Sequence, residues 1–136
     1  MAEPKTVVVD GSNVAYEEVT PEGKPKVANL VAVRRELERR GYRPIIIVDA
    51  AFRHQVDDPR QLEALIDDQV VRQAPAGTDA DYFVLTTAAD EHAAVVSNDL
   101  YRSYEHEFPW VRERRIPLMI VDGNVELYEP KRRRAR

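Results

Sequence analysis

The residues best suited to chemistry in this chain are aspartates that stand at the ends of apolar runs. Asp10 directly follows the run 6–9, and Asp99 follows the run 93–97 after one residue. Asp81 lies in the first turn of a helix predicted just before the second run. Carboxylates brought together repel one another unless a cation compensates, and carboxylate oxygens are ligands that Mg²⁺ and Mn²⁺ prefer. If these acids converge, they indicate phosphodiester hydrolysis by metal-activated water.

Each of these acids also has a purely structural explanation. An aspartate after a strand is often a turn or cap residue, and acids in a first turn suit the helix dipole. On a helical wheel Asp81 lies beside the apolar stripe through Val84 and Ala88, whereas Asp79 points more than about 100° away from it. The pattern therefore favours Asp81 as the inward acid and Asp79 as a flanking one. Turn or surface positions are predicted for Asp49, Asp90, His54, His92 and His106.

Alternating strands and helices must hold these acids in place. Apolar runs predict strands at 6–9, 45–48, 70–73 and 93–97, and helical spacing predicts helices over 27–37, after Pro59, and from an N-cap at Thr78 to about 89. A turn is predicted at 10–13, short helices after Leu100 and within 107–115, and a hairpin over 118–128. Buried strands of this kind indicate an α/β fold with a central, mainly parallel sheet and a C-terminal hairpin. Right-handed crossovers would bring the three acids to the carboxyl edge of that sheet, where ligands bind in such folds.

Composition sets limits on class, compartment and partners. The 136 residues suit one domain, and the absence of cysteine excludes disulfides, thiolate metal sites and cysteine nucleophiles. Because the sequence has no signal peptide and no apolar run of membrane length, we expect a cytoplasmic protein without a membrane partner. The net charge is −4, but the tail 131–136 carries five positive charges. The predicted domain, residues 1–130, therefore carries −9.

Four segments resemble a known family. Residues 7–15 (VVVDGSNVA) resemble the opening motif of the NYN domains of Regnase-type ribonucleases, in the PIN-like superfamily, and residues 95–102 (VVSNDLYR) resemble their second signature. Residues 81–84 (DYFV) match the helix start that carries the central acid of these domains, and residues 51–53 (AFR) are similar to a segment after their second strand. The resemblance runs from about 7 to 128. It implies a PIN-like three-layer sandwich and a metal-dependent endoribonuclease acting on single-stranded or loop RNA.

The same resemblance implies roles for individual acids. Asp10, Asp81 and Asp99 would be the catalytic residues and would hold Mg²⁺ or Mn²⁺. Ala80 stands where the family typically has the first of two adjacent acids, so Asp79 is the candidate for replacing that carboxylate. The CCCH zinc finger of the animal members cannot exist in a chain without cysteine. RNA targeting must therefore come from elsewhere.

Polar and aromatic side chains near the same edge are candidates for binding the substrate. An arginine at this edge could clamp a phosphate, although a plain surface arginine is an equal alternative. Tyr16, Tyr101 and Trp110 could stack on bases, with core packing favoured for Trp110. The predicted substrate-binding residues are Ser12, Asn13, Arg53, Asn98 and Arg102.

Several alternatives stay open at the level of the sequence. A non-catalytic RNA-binding or adaptor module could keep the same fold without turnover. A small phosphatase is a weaker alternative, because no Asp-x-Asp nucleophile motif follows the first strand. A homodimer is compatible with the sequence. The basic tail 131–136 is either a solubilising end or an arm that tethers RNA by counterion release.

Overall fold

A five-stranded parallel sheet forms the centre of the computed structural model, which describes residues 3–130. Its strands lie in the order β3-β2-β1-β4-β5, and a separate antiparallel hairpin, β6-β7, follows them. The strands are β1 (Lys5–Asp10), β2 (Tyr42–Val48), β3 (Val71–Gln73), β4 (Ala94–Val96), β5 (Arg115–Ile116), β6 (Leu118–Val121) and β7 (Asn124–Leu127). The helices are α1 (Gly11–Ala15), α2 (Val27–Arg39), α3 (Pro59–Asp67), α4 (Ala80–Glu91) and α5 (Val111–Arg114), with 3₁₀ helices at Ala50–His54 and Arg102–Tyr104. The basic tail at 131–136 lies outside the described residues and stays a prediction.

The central strand β1 is buried on both faces, because its side chains alternate between two apolar cores. Val7 and Val9 pack with α2, α3 and the hairpin, whereas Val8 packs with α4 and α5. The fold is therefore a three-layer sandwich around a parallel sheet, with a C-terminal hairpin, and the predicted fold class is confirmed. Within residues 3–130, no helix is long and apolar enough to cross a membrane.

The strand order reverses direction at β1, which creates a position for ligand binding at the carboxyl end of this strand. The chain adds β2 and β3 on one side of β1 and then crosses to place β4 on the other side. Val9 pairs in register with Val96, so Asp10 lies next to Ser97 where both strands end. A point where the strand order reverses is where ligands usually bind in open parallel sheets.

Local structure differs from the prediction at two places that matter for the site. The predicted turn at 10–13 is the start of α1, with Asp10 as its N-cap. The N-cap of α4 is Asp79 rather than Thr78, because the carboxylate of Asp79 accepts a hydrogen bond from the amide of Asp81. Two acids of the predicted site are therefore helix caps as well.

Candidate active site

Asp10 is the most buried acid of the site, with 5% of its surface exposed. Its Oδ2 accepts hydrogen bonds from the Tyr101 hydroxyl at 2.5 Å and the Ser97 hydroxyl at 3.4 Å, and its Oδ1 accepts one from the amide of Asn13 at 3.3 Å. Burial raises the pKa of Asp10 above its usual value, and the charge of Asp99 adds to the rise, while the three hydrogen bonds oppose it. The carboxylate is thus held in one orientation at the cost of partial desolvation.

The segment after β4 ties Asp99 to the same network. The Ser97 hydroxyl accepts a hydrogen bond from the Asp99 amide at 3.0 Å, and an Asp99 carboxylate oxygen accepts one from the Tyr101 amide at 2.8 Å. The Asn98 amide donates to the side-chain oxygen of Asn13 at 3.0 Å, which joins this segment to α1. Tyr101 has a left-handed backbone with φ of 51°, which is unusual for a bulky residue and marks a constrained position.

Asp81 completes the group of acids from a third element. It lies half-buried in the first turn of α4. Burial and then repulsion by neighbouring carboxylates raise the pKa of Asp81 to about 6. Those carboxylates, in order of decreasing effect, are Asp10, Asp99, Asp79 and Asp49. The structure thus brings the three predicted acids within electrostatic range of one another.

The two flanking acids have structural partners. Asp79 is exposed, caps α4 through the amide of Asp81 at 3.0 Å, and accepts a hydrogen bond from the Tyr104 hydroxyl. The half-buried position of Asp81 and the exposed position of Asp79 agree with the helical wheel. Asp49 follows β2 and accepts a hydrogen bond from the amide of Ala51 at 2.8 Å, as a cap residue does.

The chemistry of this donor set suits a hard divalent cation. Asp10, Asp81 and Asp99 offer only carboxylate oxygens. Burial is the main cause of the raised pKa of Asp81, and repulsion by the neighbouring carboxylates adds to it, so a cation here would neutralise part of that negative charge. Among residues 3–130, no group of three or more acidic or histidine side chains is arranged closely enough to hold a metal ion by itself. Mg²⁺ commonly binds one or two carboxylates, keeps several waters and adds phosphate oxygens of the substrate. The site fits that mode of binding.

Two of the predicted substrate-binding residues contact protein groups of the sheet and α3. The Ser12 hydroxyl accepts a hydrogen bond from the Asp49 amide at 2.9 Å, which links α1 to the end of β2. Arg53 pairs with Glu63 at 3.1 Å and donates to the side-chain oxygen of Gln73 at 2.7 Å. In this state both side chains therefore stabilise the loops at the carboxyl edge.

Two predicted substrate-binding residues follow β4, and the side chain of one is held by hydrogen bonds whereas the other is exposed. The side-chain amide of Asn98 bonds to the backbone of Leu118 at both ends, at 2.8 and 2.9 Å, and so fixes the start of the hairpin beside the site. Arg102 is exposed and lines a cavity with Arg112 and Arg115.

The aromatic candidates divide according to burial. Tyr16 is 47% exposed and can reach a base, whereas the prediction that Tyr101 stacks on one is wrong, because 2% of its surface is exposed. Trp110 is half-buried at the edge of the core and carries the Arg114 guanidinium 4.1 Å from its ring centre, in agreement with the packing role.

Sequence reasoning missed the two hydroxyls that orient Asp10. Tyr101 and Ser97 lie two residues on either side of Asp99, and both turn back to the end of β1. A buried tyrosine needs a hydrogen-bond partner for its hydroxyl. Asp10, at the end of the neighbouring strand β1, was the signal in the sequence that could have identified this partner.

The strand order and the acids from three elements at one edge agree with the resemblance to an NYN domain of the PIN-like superfamily. The family model of the Zc3h12a-like ribonuclease NYN domain matches residues 3–136, and the chain belongs to this family. Its class is therefore that of RNA-cleaving nuclease domains.

Two solved structures of the nuclear protein-only RNase P 2 (PRORP2) from Arabidopsis thaliana are similar in fold. One has a TM-score of 0.69 and 23% identity over 94% of this chain, and the other has a TM-score of 0.72 and 26% identity over 95% of it. This chain covers 30% of each PRORP2 chain. A comparison with curated protein sequences gave no match.

Proposed function

We propose that this domain is a Mg²⁺- or Mn²⁺-dependent endoribonuclease that hydrolyses phosphodiester bonds in single-stranded or loop RNA. The observation that supports the proposal is that Asp10, Asp81 and Asp99 lie within electrostatic range of one another at the carboxyl edge, where repulsion adds to burial in raising the pKa of Asp81 to about 6. Membership of a ribonuclease domain family supports the nuclease class. The relative PRORP2 is itself described as an RNase P.

The residues that would hold the cation are Asp10, Asp81 and Asp99, with Asp79 at the border of the site. When bound, the cation supplies an activated water and neutralises charge on the phosphate. The chain contributes orientation: Tyr101 fixes Asp10 through its hydroxyl and Asp99 through its backbone amide. Because one residue positions two acids, the buried side chain and the backbone of Tyr101 together set their separation.

Single-stranded RNA is the substrate that the surroundings of the acids favour. Tyr82, which directly follows Asp81, is 39% exposed, and Tyr16 at the end of α1 is 47% exposed. Exposed aromatic rings stack on unpaired bases, and paired bases are not available for such contacts. The rings thus support a preference for strands or loops over a duplex.

A cleavage assay with matched metal conditions tests the proposal. The substrates are an end-labelled single strand, a hairpin with a large loop and a perfect duplex, each incubated with Mg²⁺, Mn²⁺ or EDTA. We expect internal cuts in the strand and the loop with either metal, and none in EDTA or with Asp81→Asn. Cutting that persists in EDTA, or in Asp81→Asn at the parent rate, overturns the proposal. Binding without metal-dependent cutting would support the non-catalytic RNA-binding or adaptor module.

A further inference from the structure

A cavity of about 340 Å³ lies near the end of β4 and is lined mainly by arginines. Its walls come from the segment after β4, from α5 and from β5, and they begin at Leu100, the residue after Asp99. The full lining is Leu100, Arg102, Glu105, Arg112 and Arg115. We call it the arginine cavity. Three guanidinium groups against one carboxylate give it a local excess of positive charge.

Arg115 joins the arginine cavity to the acidic site. It is half-buried, and its Nη1 donates to the carbonyl oxygen of Ser97 at 3.0 Å. Ser97 in turn bonds to Asp10 and Asp99. A guanidinium has five N–H donors, and this bond uses one of them. The position of Arg115 is therefore fixed relative to the acids.

The other two arginines are free to turn toward a ligand. Arg112 has 79% of its side chain exposed and lies 3.5 Å from Glu105, the outer limit of a hydrogen bond. An exposed ion pair of this length contributes little to stability. Arg102 is exposed on the 3₁₀ helix. Both side chains can therefore move onto an anion at low cost.

The positive charge of the arginine cavity contrasts with the negative net charge of the whole domain. Residues 1–130 carry a net charge of −9, which repels a polyanion over most of the surface. RNA that reaches Asp99 must nevertheless bring its backbone phosphates to this edge. Arginine binds phosphate in a bidentate geometry that lysine cannot offer. We infer that the arginine cavity is a subsite for the backbone phosphate of an RNA nucleotide next to the one that is cut. This inference rests on the proposed function, since it assigns the neighbouring subsite of the same strand.

The test measures RNA binding without cleavage. Anisotropy of a labelled single-stranded oligonucleotide in EDTA gives the affinity of the parent and of Arg102→Gln/Arg112→Gln over a range of salt concentrations. We expect the variant to bind on the order of tenfold more weakly, and its salt slope to fall by about 0.7 for one lost phosphate contact in a single strand. Glu105→Gln should bind RNA more tightly than the parent, because it removes a carboxylate from the cavity wall.

A matched control is Arg34→Gln/Arg35→Gln on α2, which covers the opposite face of the sheet. It removes the same charge, and Arg34 has an exposed ion pair with Glu38 at 3.6 Å, much like that of Arg112. We expect less than about a twofold change in affinity from this pair. If both double variants lose the same RNA affinity, the loss reflects the net charge of the domain rather than the arginine cavity, and the subsite is overturned.

Neutral linkages identify the phosphate itself. A methylphosphonate linkage is neutral and is placed at one position of the oligonucleotide at a time. At one position it should weaken RNA binding by the parent protein. The same linkage should not weaken binding by Arg102→Gln/Arg112→Gln. The same pattern of loss in parent and variant contradicts the subsite. If the parent cuts RNA with Mn²⁺ but the variant keeps full affinity, the subsite fails and the proposed function stands. If the variant loses affinity but the parent never cuts, the arginine cavity binds an RNA phosphate, but the nuclease fails and with it the placement of that phosphate next to a cut.

Discussion

Replacing Tyr101 by phenylalanine tests whether its hydroxyl holds Asp10 as a carboxylate. The hydroxyl lies 2.5 Å from Oδ2 of Asp10, and the two residues are 2% and 5% exposed. Phenylalanine keeps the ring, so the substitution removes only the hydroxyl and its hydrogen bond. The expected loss is therefore electrostatic and depends on the charge of Asp10.

The size of the loss follows from the type of bond. A hydrogen bond to a charged group contributes about 1.5–3 kcal/mol, and one between neutral groups about 0.5–1.5 kcal/mol. At pH 7, Tyr101→Phe should cost about 1.5–3 kcal/mol, which lowers Tm by roughly 6–12 °C at about 4 °C per kcal/mol. Tyr16→Phe is the control, because its hydroxyl bonds at the surface to the neutral side chain of Gln55. It should cost no more than about 0.5 kcal/mol.

The pH dependence separates this explanation from a general packing defect. Burial raises the folded-state pKa of Asp10, so protonation of Asp10 stabilises the fold as pH falls toward the usual range of aspartate. Once Asp10 is neutral, the lost bond is a neutral one, and the penalty of Tyr101→Phe should shrink by about half. Urea unfolding in a series from pH 7 down to about pH 4 follows the change in the penalty. An equal penalty at the two ends of this series, or a penalty no larger than that of Tyr16→Phe, would refute the electrostatic role.

Three further predictions concern the acids and α1. Metal-dependent cleavage, measured in a rate assay, should fall by orders of magnitude in each of the variants Asp10→Asn, Asp81→Asn and Asp99→Asn. It should fall less in Asp79→Asn. Equal losses in all four variants would place Asp79 in the site. Because the pKa of Asp81 is raised, the metal-free protein should lose stability as pH rises from about 4 through 6. The affinity for Mn²⁺ should rise over the upper part of this range. If Asp81→Asn leaves the melting curves in EDTA unchanged, the predicted loss of stability is wrong. Gly11→Ala should destabilise by about 1–3 kcal/mol in urea, because the added Cβ would lie 2.8 Å from backbone and side-chain atoms of β2; parent-like unfolding would show that α1 can shift.

The sheet and the hairpin could be predicted because they are set by local pattern. The run Val7–Val9 has no polar interruption, which is typical of a strand covered on both faces. Asp122 and Gly123 both have positive φ, as the two-residue turn of the predicted hairpin requires. Such signals need no knowledge of distant residues.

The missed features depend on contacts between distant parts of the chain. The five-residue helix α1 is too short to form by propensity, and it rests on capping by Asp10 and on the close approach of Gly11 to β2. The two-residue strand β5 exists through its pairing with β4. No local pattern around Tyr101 signals its left-handed backbone or its burial.

The convergence of the acids was predictable from topology, but the electrostatics were not. Any right-handed parallel fold brings the end of β1, the segment after β4 and the start of α4 to one edge. The pKa of Asp81 depends on how deeply it is buried and how near its neighbours lie, and both are set by packing.

Anomalous scattering from crystals soaked in Mn²⁺ tests the central claim most directly, because it locates the cation without reference to activity. We predict an anomalous peak contacted directly or through water by carboxylate oxygens of Asp10, Asp81 and Asp99, and loss of that peak in Asp81→Asn crystals soaked in the same way. A parent crystal with no peak at this edge under saturating Mn²⁺, or with a peak bound by other residues, would contradict the assignment of these three acids as the metal site.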